Sequence, residues 1–567
     1  MQIEIKQRKR QRQCQRRHYS NASLSRKNVA FSLVGSWLLV LSFYTFLLQQ
    51  GSGPLHVVEA FLNCNKEYAP TTAIIPYTTY QQSKLLAVPD DSQSHSHSHP
   101  NQQTLVTTIA EDVWRAVAKN HRTTIQNLLQ PGLVGLDHEL MKPLRKQFKQ
   151  EFDNQKNDAS TPPPLTMLDP KHPIYNFLVE YYGLKGLKGP KRLARWAPSV
   201  GLFFWDADDN QNEPRVRRID SVQDYNDASR AYLDLECDKF DQDNLDRQIF
   251  LEGATPEDFA LTLYLQGAEW VEPTESNDNN DHSIYNGKEG ILYRPIRHYT
   301  ADEQDQETKF MAHRKATSFV WYKSILENTL HNEPVLHCYG LHEWAMQYHP
   351  HGAPPPPSGK YQKHLPLRVS REIINQTVER KGLRCTHVDA LRFFAPAAGP
   401  LNYHGASLQR AEQLILEQPG CVHAHMDLLK IALRIKPYCD PDLLVRVLET
   451  ALEARTLDVG ASPYDCSSYG YGSNLDPIRI IPVETTEGRA LYQELQTDLM
   501  QRAETVRRAL LANYEAFGAL AFETQQLLAA VEDPTDERFA KAEPGGKAWR
   551  QNLIERPVAN ANDRNNH

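Results

Sequence analysis

The chain has 567 residues, with 63 Lys and Arg against 70 Asp and Glu, a net charge of -7 and a mean hydropathy of -0.59. This length permits one large domain, or two domains of ordinary size, together with disordered terminal segments. The composition excludes a collagen-like chain, a disulfide-dense miniprotein and a protein with many membrane spans. Because the net charge is negative, binding to nucleic acid needs a local basic patch. The eight cysteines form no Cys-x-x-Cys pair, so neither a zinc ribbon nor a thioredoxin-like motif is indicated.

Residues 1–60 are predicted to be a signal peptide or a signal anchor. Basic residues without an acid occupy 6–27, and an uncharged, mostly apolar stretch over 29–48 is just long enough to span a bilayer. The junction between Ala60 and Phe61 resembles the cleavage point of the bipartite plastid presequences of diatoms and related algae. That resemblance implies import into the plastid, with 61–104 as a transit-like linker rich in His and Ser. The alternative is a type II membrane anchor in the secretory pathway.

A helical extension and linker are predicted over 105–164. Its apolar residues repeat at the three-to-four spacing of an amphipathic helix, at Leu105, Val106, Ile109, Val113 and Val117. Three prolines at 162–164 close a polar stretch and mark the start of the main domain.

Residues 165–530 are predicted to form a helical core domain. Thr255, Pro256 and Asp258 give a strong helix start, and this helix is expected to reach Gly267. Further helical patterns occupy 315–330, 335–348, 370–382, 407–418, 421–436, 442–456 and 487–530. No alternation of strands with helices is evident, so the predicted fold is mainly α, a multi-helix, bundle-like single domain. A disordered tail is predicted over 531–567.

The segment 421–436 is the most informative for function. On a helix, His423, Asp427, Lys430 and Arg434 form one line along a face, and the other faces are apolar. A helix that is apolar around most of its circumference is buried, and buried ionisable groups must be paired or functional. The line therefore indicates either part of a functional pocket or a structural arrangement, such as an internal salt-bridge ladder.

Two other apolar segments combine histidine with a carboxylate. One contains His342 and Glu343 among aromatic residues, and the other contains His387, Asp389 and Arg392. Three such segments predict a shared pocket that supplies a general base or the ligands of a divalent transition metal. The candidate catalytic and metal-binding residues are the same six: His342, Glu343, His387, Asp389, His423 and Asp427.

Five segments together resemble a known family. They are 172–182, 340–346, 384–394, 417–428 and 461–465, and they occur in the same order in a family of bacterial and algal proteins labelled 3-methyladenine DNA glycosylase. The resemblance covers about 170–525. It implies an N-glycosylase that releases alkylated purine bases from DNA during repair, by hydrolysis of the bond between the base and the sugar. The substrate-binding residues are then predicted to be His172, Trp344, Arg392, Lys430, Arg434, Tyr464 and Asp465, and the basic residues predicted to hold phosphates are Lys185, Lys188, Lys191, Arg192 and Arg195.

Two other function classes stay open. One is a metal-assisted enzyme that acts on a small plastid metabolite through the His, Asp and Glu pocket. The other is a non-catalytic helical scaffold. The expected partners are accordingly a small-molecule substrate or damaged DNA, and a membrane only through 29–48.

Overall fold

The computed structural model describes residues 104–157, 164–205, 215–235, 246–263, 268–272, 288–293, 306–353, 364–408, 410–472 and 475–522. The predicted targeting segments over 1–103, including the apolar stretch 29–48, lie outside these residues, and so does the predicted tail over 531–567. Within the described part, no helix is both long enough and apolar enough to cross a membrane.

Helices dominate the described residues. In the first half of the chain they are α1 (Glu111–Leu129), α2 (Arg145–Asn157), α3 (Asn176–Glu180), α4 (Lys188–Ala194), α5 (Val222–Ser229), α6 (Ala231–Asp234) and α7 (Pro256–Leu261). In the second half they are α8 (Gln306–His331), α9 (Leu341–Gln347), α10 (Arg371–Glu379), α11 (Val388–Leu391), α12 (Gln413–Leu416), α13 (Val422–Ile435), α14 (Pro441–Ala461) and α15 (Thr486–Ala521). The prediction of a mainly helical protein is confirmed at this level.

A five-stranded sheet corrects the expectation of a purely helical bundle. Its strands are β1 (Thr104–Ile109), β2 (Arg215–Ile219), β3 (Asp246–Glu252), β4 (Ala268–Val271) and β5 (Gly290–Tyr293), in the order β2-β1-β3-β5-β4. β1 pairs in parallel with β2 and β3, whereas β5 pairs antiparallel with β3 and β4. Helices connect the parallel strands, so strands and helices do alternate in this region. A separate two-stranded ribbon joins β6 (Gly470–Tyr471) and β7 (Asp476–Pro477).

The prediction of a helix that begins at Leu105 was wrong for its first turns. Residues 104–109 form β1, and the helix begins at Glu111. The apolar side chains of Leu105, Val106 and Ile109 are all buried, because both faces of the strand are covered. A short apolar run of this kind fits a buried strand as well as a helix.

The helix start at Thr255 has the predicted chemistry. The Thr255 hydroxyl accepts a hydrogen bond from the Asp258 backbone N–H at 3.2 Å, and the Asp258 carboxylate accepts one from the Thr255 backbone N–H at 3.0 Å. This reciprocal capping box, with Pro256 at the first helical position, fixes the start of α7. The helix ends at Leu261 rather than at Gly267, since Leu263 pairs in a β-bridge with Trp196.

One hydrophobic core runs from β1 to the end of α15, and α13 lies at its centre. Eleven of the 14 residues of α13 are buried, and the helix packs against both α14 and α15. Leu429 and Ala432 of α13 have no exposed surface. Truncating a leucine in such a position typically costs about 2–5 kcal/mol of stability. The core therefore holds α13 rigidly, with its first turns against the loop and helices that carry the other predicted site residues.

Candidate active site

The three predicted His-carboxylate segments meet at a cavity of about 570 Å³. The cavity lies between the loop after α3 and the helices α9, α11, α13 and α14. Its ionisable and aromatic lining side chains include Tyr181, Tyr182, His342, Glu343, His387, Asp389, Arg392, Phe393, His423, Asp427, Lys430 and Arg455.

A tight turn brings the start of α9 against the end of α14. Tyr339 and Gly340 both have positive φ angles, 52° and 66°. A β-carbon on Gly340 would lie 3.4 Å from the Ala461 Cβ and 3.6 Å from the Asp458 Oδ1 atom, so the backbone passes close to α14 here. The glycine conformation thus places His342, two residues later, beside Asp458.

His423 lies between the two other histidines. Its ring centroid is 4.3 Å from that of His342 and 4.7 Å from that of His387, against which it stacks. Burial lowers the pKa of His423 well below its ordinary value, and the neighbouring His342 and His387 rings lower it further. His423 is therefore a neutral imidazole, which is the form that binds metal ions.

His342, His423 and Asp458 form the first candidate metal-binding group. One donor atom from each residue lies within 4.8 Å of the others. The His342 Nε2 and Asp458 Oδ1 atoms are 2.9 Å apart, yet neither makes a hydrogen bond with a described residue. An imidazole nitrogen and a carboxylate oxygen at this distance can either pair directly or act as two ligands of one shared cation.

The other oxygen of Asp458 is held by Arg455. The Arg455 Nη1 group donates to Asp458 Oδ2 at 2.5 Å and to Glu343 Oε1 at 2.9 Å, and its Nε group donates to the Pro173 carbonyl oxygen at 3.0 Å. Burial alone would raise the pKa of Asp458, but His342 and Arg455 hold it below its ordinary value.

The charges of this first group do not balance among the protein atoms. Two buried carboxylates, Asp458 and Glu343, face one guanidinium, that of Arg455. Because a buried charge needs a partner, the remaining negative charge favours a cation, supplied either by a protonated histidine or by a metal ion. The residues present therefore fit a bound divalent metal with two imidazoles and one carboxylate.

His387, Glu417 and Asp427 form a second candidate group, also with donor atoms within 4.8 Å of one another. Its central carboxylate is already occupied on both oxygens. Tyr182 donates its hydroxyl to Asp427 Oδ1 at 3.1 Å, and Lys430 donates to Asp427 Oδ2 at 3.2 Å. An ammonium group next to the carboxylate makes this group a poorer metal site than the first.

The second group has strongly shifted pKa values. Burial alone would raise the pKa of Asp427, but Lys430 and His387 hold it well below its ordinary value. Burial would lower the pKa of His387, and Asp427, whose Oδ2 atom lies 3.5 Å from His387 Nε2, raises it overall. Glu417 has a raised pKa because it is completely buried, and its Oε2 atom accepts a hydrogen bond from Gln413 at 2.8 Å.

Asp389 lies at the cavity wall in a network of positive charges. Arg410 donates to Asp389 at 2.9 Å, Lys430 lies 3.6 Å away and the more exposed Arg392 lies 3.7 Å away. Lys430 therefore bridges Asp389 and Asp427, so the line along α13 does include a salt-bridge element.

Five of the predicted substrate-binding residues do not line this cavity. His172 packs edge-on against Tyr175 and Tyr469, and its Nδ1 atom accepts from the Ile174 backbone. The Trp344 indole is fully buried and donates to the Ala461 carbonyl oxygen at 2.8 Å.

The other three also face elsewhere. The Tyr464 hydroxyl accepts a hydrogen bond from Gln347 at 2.9 Å, and Asp465 accepts one from the Ser467 hydroxyl at 2.6 Å. Arg434 lies over the Tyr322 ring, 5.4 Å from its centroid, and lines a second cavity described below.

Sequence reasoning missed several residues of the site, namely Tyr182, Arg410, Glu417, Arg455 and Asp458. Arg455 and Asp458 carry the signal that singled out α13, because they are ionisable, three residues apart and set in an apolar helix. Asp458 was missed because the helix was predicted to end at 456, whereas α14 continues to Ala461. Glu417 precedes α13 and carried no comparable pattern.

Comparison of the chain with protein-family models, with curated proteins and with solved structures finds no match.

Proposed function

We propose that this protein is a metal-dependent enzyme that acts on a small molecule bound in the cavity of about 570 Å³. The observation that carries the proposal is the convergence of His342, His423 and Asp458. The two histidines line the cavity, and Asp458 is buried behind them. Two imidazoles and a carboxylate are typical ligands of Zn²⁺, Fe²⁺ or Mn²⁺ in sites that keep positions open for substrate. Such an ion supplies Lewis-acid catalysis and lowers the pKa of a bound water.

Arg455 is assigned a positioning role. It holds Asp458 Oδ2 and Glu343 Oε1 in fixed places, which leaves Asp458 Oδ1 directed at His342. A buried arginine that fixes a ligand carboxylate is an outer-shell partner of the kind that tunes metal affinity.

His387 and Asp427 are assigned the movement of a proton. The imidazole and the carboxylate face each other at 3.5 Å at the cavity wall, and Tyr182 and Lys430 fix the carboxylate from its other sides. An imidazole oriented by a carboxylate is a common arrangement for general acid-base catalysis. His387 stacks on His423, so a proton held there lies next to the proposed metal.

The size of the cavity, and the position of the predicted phosphate-binding residues outside it, favour a small substrate over DNA. Its volume lies within the range of small-molecule sites, which is roughly 300–1,000 Å³. Four carboxylates and four cations line it, so it carries no excess of basic charge; they are those of Glu180, Glu343, Asp389, Asp427, Lys171, Arg392, Lys430 and Arg455. The basic residues predicted to hold phosphates do not line it, and Lys185, Lys188 and Lys191 are exposed around α4.

Excision of an alkylated base, the function implied by the family resemblance, is the second candidate. One observation favours it. Tyr181 and Phe393 meet edge to face at the cavity wall, with their ring centroids 5.8 Å apart, and the Arg392 guanidinium lies 4.7 Å from the Phe393 ring centroid. Such an aromatic pair beside a cation can receive a flipped base and a phosphate.

One experiment separates the two candidates. The full chain is stripped with a chelator, reloaded with Zn²⁺, Mn²⁺ or Fe²⁺, and assayed with p-nitrophenyl esters of phosphate and of carboxylic acids. A parallel assay measures base release from alkylated duplex DNA. We expect metal-dependent hydrolysis of at least one ester, lost in Asp458→Asn and retained in the control Asp465→Asn. Base release without a metal requirement, or ester hydrolysis unchanged in Asp458→Asn, would overturn the proposal.

A further inference from the structure

A second cavity of about 480 Å³ adjoins the first. Tyr181, Tyr182 and Lys430 line both cavities and form the boundary between them. The second cavity is defined here as the basic cavity, because its charged lining residues are Arg192, Arg314, Lys315, Lys430, Arg434 and Lys436. Among the residues that the structure describes, none that lines it is Asp or Glu.

Two of these cations have evident structural tasks. Lys436 donates hydrogen bonds to the carbonyl oxygens of Leu193 and Arg195, at 3.2 and 3.0 Å, and so satisfies the end of α4. Burial lowers the pKa of Lys436 to about 7, and the positive charges of Arg192 and Arg195 contribute to that shift. Lys430 neutralises Asp427 and Asp389.

The three arginines are not explained in this way. Arg192 makes one long contact, from Nη2 to the Leu433 carbonyl oxygen at 3.4 Å, and its buried Nε group has no hydrogen-bond partner among the described residues. Arg434 is exposed over the Tyr322 ring, and Arg314 is exposed on α8. Like charges that converge on one concavity repel one another, and a buried donor left unsatisfied is costly, so the arrangement calls for an anion.

We propose that the basic cavity binds the phosphate group of the substrate, whose reacting part lies in the neighbouring cavity. The inference rests on the proposed function and deepens it, because it makes the substrate a small phosphorylated molecule. A guanidinium group can donate paired, charge-assisted hydrogen bonds to phosphate oxygens. The basic cavity has three guanidinium groups, those of Arg192, Arg314 and Arg434. The aromatic side chains of Tyr181 and Tyr182, at the boundary, are placed to contact the part of the substrate between its two ends.

Phosphate can come from a metabolite or from a DNA backbone, and the shapes of the two ligands differ. A phosphate at the end of a small molecule can enter a concave site, whereas duplex DNA presents its phosphates along an extended surface. The basic cavity is concave and is bounded by Phe319, Tyr514 and Phe517, so it favours the small ligand.

Calorimetric titration of the full chain with inorganic phosphate and with pyrophosphate tests the proposal. Arg434→Gln is the main variant, since its side chain is exposed and its loss does not threaten the fold. Arg446→Gln, an exposed helical arginine on α14 away from both cavities, is the matched control. We expect phosphate binding to be about tenfold weaker in Arg434→Gln, which is the usual scale for the loss of one charged hydrogen bond. Binding should be unchanged in Arg446→Gln. Absent phosphate binding, or equal binding in both variants, would overturn the inference.

Two further arms separate this inference from the proposed function and from DNA binding. Asp458→Asn is expected to lose metal binding and to keep phosphate and pyrophosphate binding, because Asp458 does not line the basic cavity. If the wild-type chain binds pyrophosphate but no metal, the proposed metal-dependent function is rejected and the anion site in the basic cavity is supported. If short duplex DNA displaces pyrophosphate at physiological salt, the ligand is a nucleic acid backbone and the metabolite inference falls.

Discussion

The Nε2 atom of His342 lies 2.9 Å from the Oδ1 atom of Asp458, across the contact between α9 and α14. Neither atom makes a hydrogen bond with a described residue, although both are buried. The same carboxylate is fixed through its other oxygen by Arg455. This relationship connects the fold to the proposed chemistry, because it leaves one excess negative charge behind His342 and His423, which line the cavity.

Replacement of Arg455 by methionine should strongly destabilise the fold. The change leaves Asp458 and Glu343 as two buried carboxylates without their shared partner, and breaking a buried ion pair in this way costs about 3–5 kcal/mol. The free energy of unfolding from urea titration is the measurement, with the exposed Arg446→Met as control. A loss below about 1 kcal/mol would show that water reaches these carboxylates.

Asp427 and Lys430 should behave as a coupled pair. Asp427→Asn is expected to abolish activity with a modest loss of stability, because Lys430 keeps Asp389 as a partner 3.6 Å away. Lys430→Met should cost more stability, since it leaves both carboxylates near α13 with one cation fewer.

A double-mutant cycle of unfolding free energies measures this coupling directly. We expect an interaction energy of about 1–3 kcal/mol between Asp427 and Lys430. Independent effects of the two substitutions would contradict the ion pair that the structure shows.

Trp344 is expected to support the fold rather than to bind substrate. Trp344→Phe removes the indole donor to the Ala461 carbonyl oxygen and leaves that buried acceptor unsatisfied, at a cost of about 1–3 kcal/mol. Thermal unfolding should therefore shift to lower temperature, whereas KM for any identified substrate should stay unchanged. A raised KM with normal stability would restore the substrate-binding role predicted from the sequence.

Asp440 should make stability depend on pH. Its Oδ1 atom caps α14 by accepting from the Leu443 backbone N–H at 2.9 Å, and burial raises its pKa to about 6 from 3.8. The native state therefore binds more protons than the unfolded state between about pH 4 and pH 6, so the stability that this group contributes is lost as the pH rises through 6.

Asp440→Asn keeps an amide oxygen as the cap and cannot ionise. We expect it to remove a pH-dependent loss of about 1–3 kcal/mol and to make the protein more stable than wild type at pH 7.5. Urea denaturation at pH 4.5 and 7.5 measures this, with the exposed Asp476→Asn as control. An equal pH dependence in wild type and Asp440→Asn would exclude Asp440 as its source.

The sequence predicted the helices best where their patterns were long or their caps were explicit. The apolar pattern of α13 and the Thr255 cap depend on residues that are near one another in the chain. The sheet could not be predicted in this way, because β1 pairs with strands that begin at Arg215 and Asp246. Its short apolar run acquires a strand conformation only when those distant partners are present.

The same reasoning applies to the candidate site. The shared chemistry of His342, His387 and His423 could be read from three segments, and the structure brings their rings within 5 Å of a neighbour. Asp458 could not be assigned to them, because a carboxylate near the end of a helix is usually exposed, and its burial follows from the packing of α9 on α14.

Titration of the metal-free full chain with Co²⁺, followed by visible absorption and by elemental analysis, tests the central claim most directly. The account predicts one Co²⁺ per chain with the spectrum of a site that has nitrogen and oxygen ligands, lost in Asp458→Asn and in His423→Ala and retained in Asp465→Asn. Wild-type protein that binds no Co²⁺, or that binds it equally well after Asp458→Asn, would contradict the account.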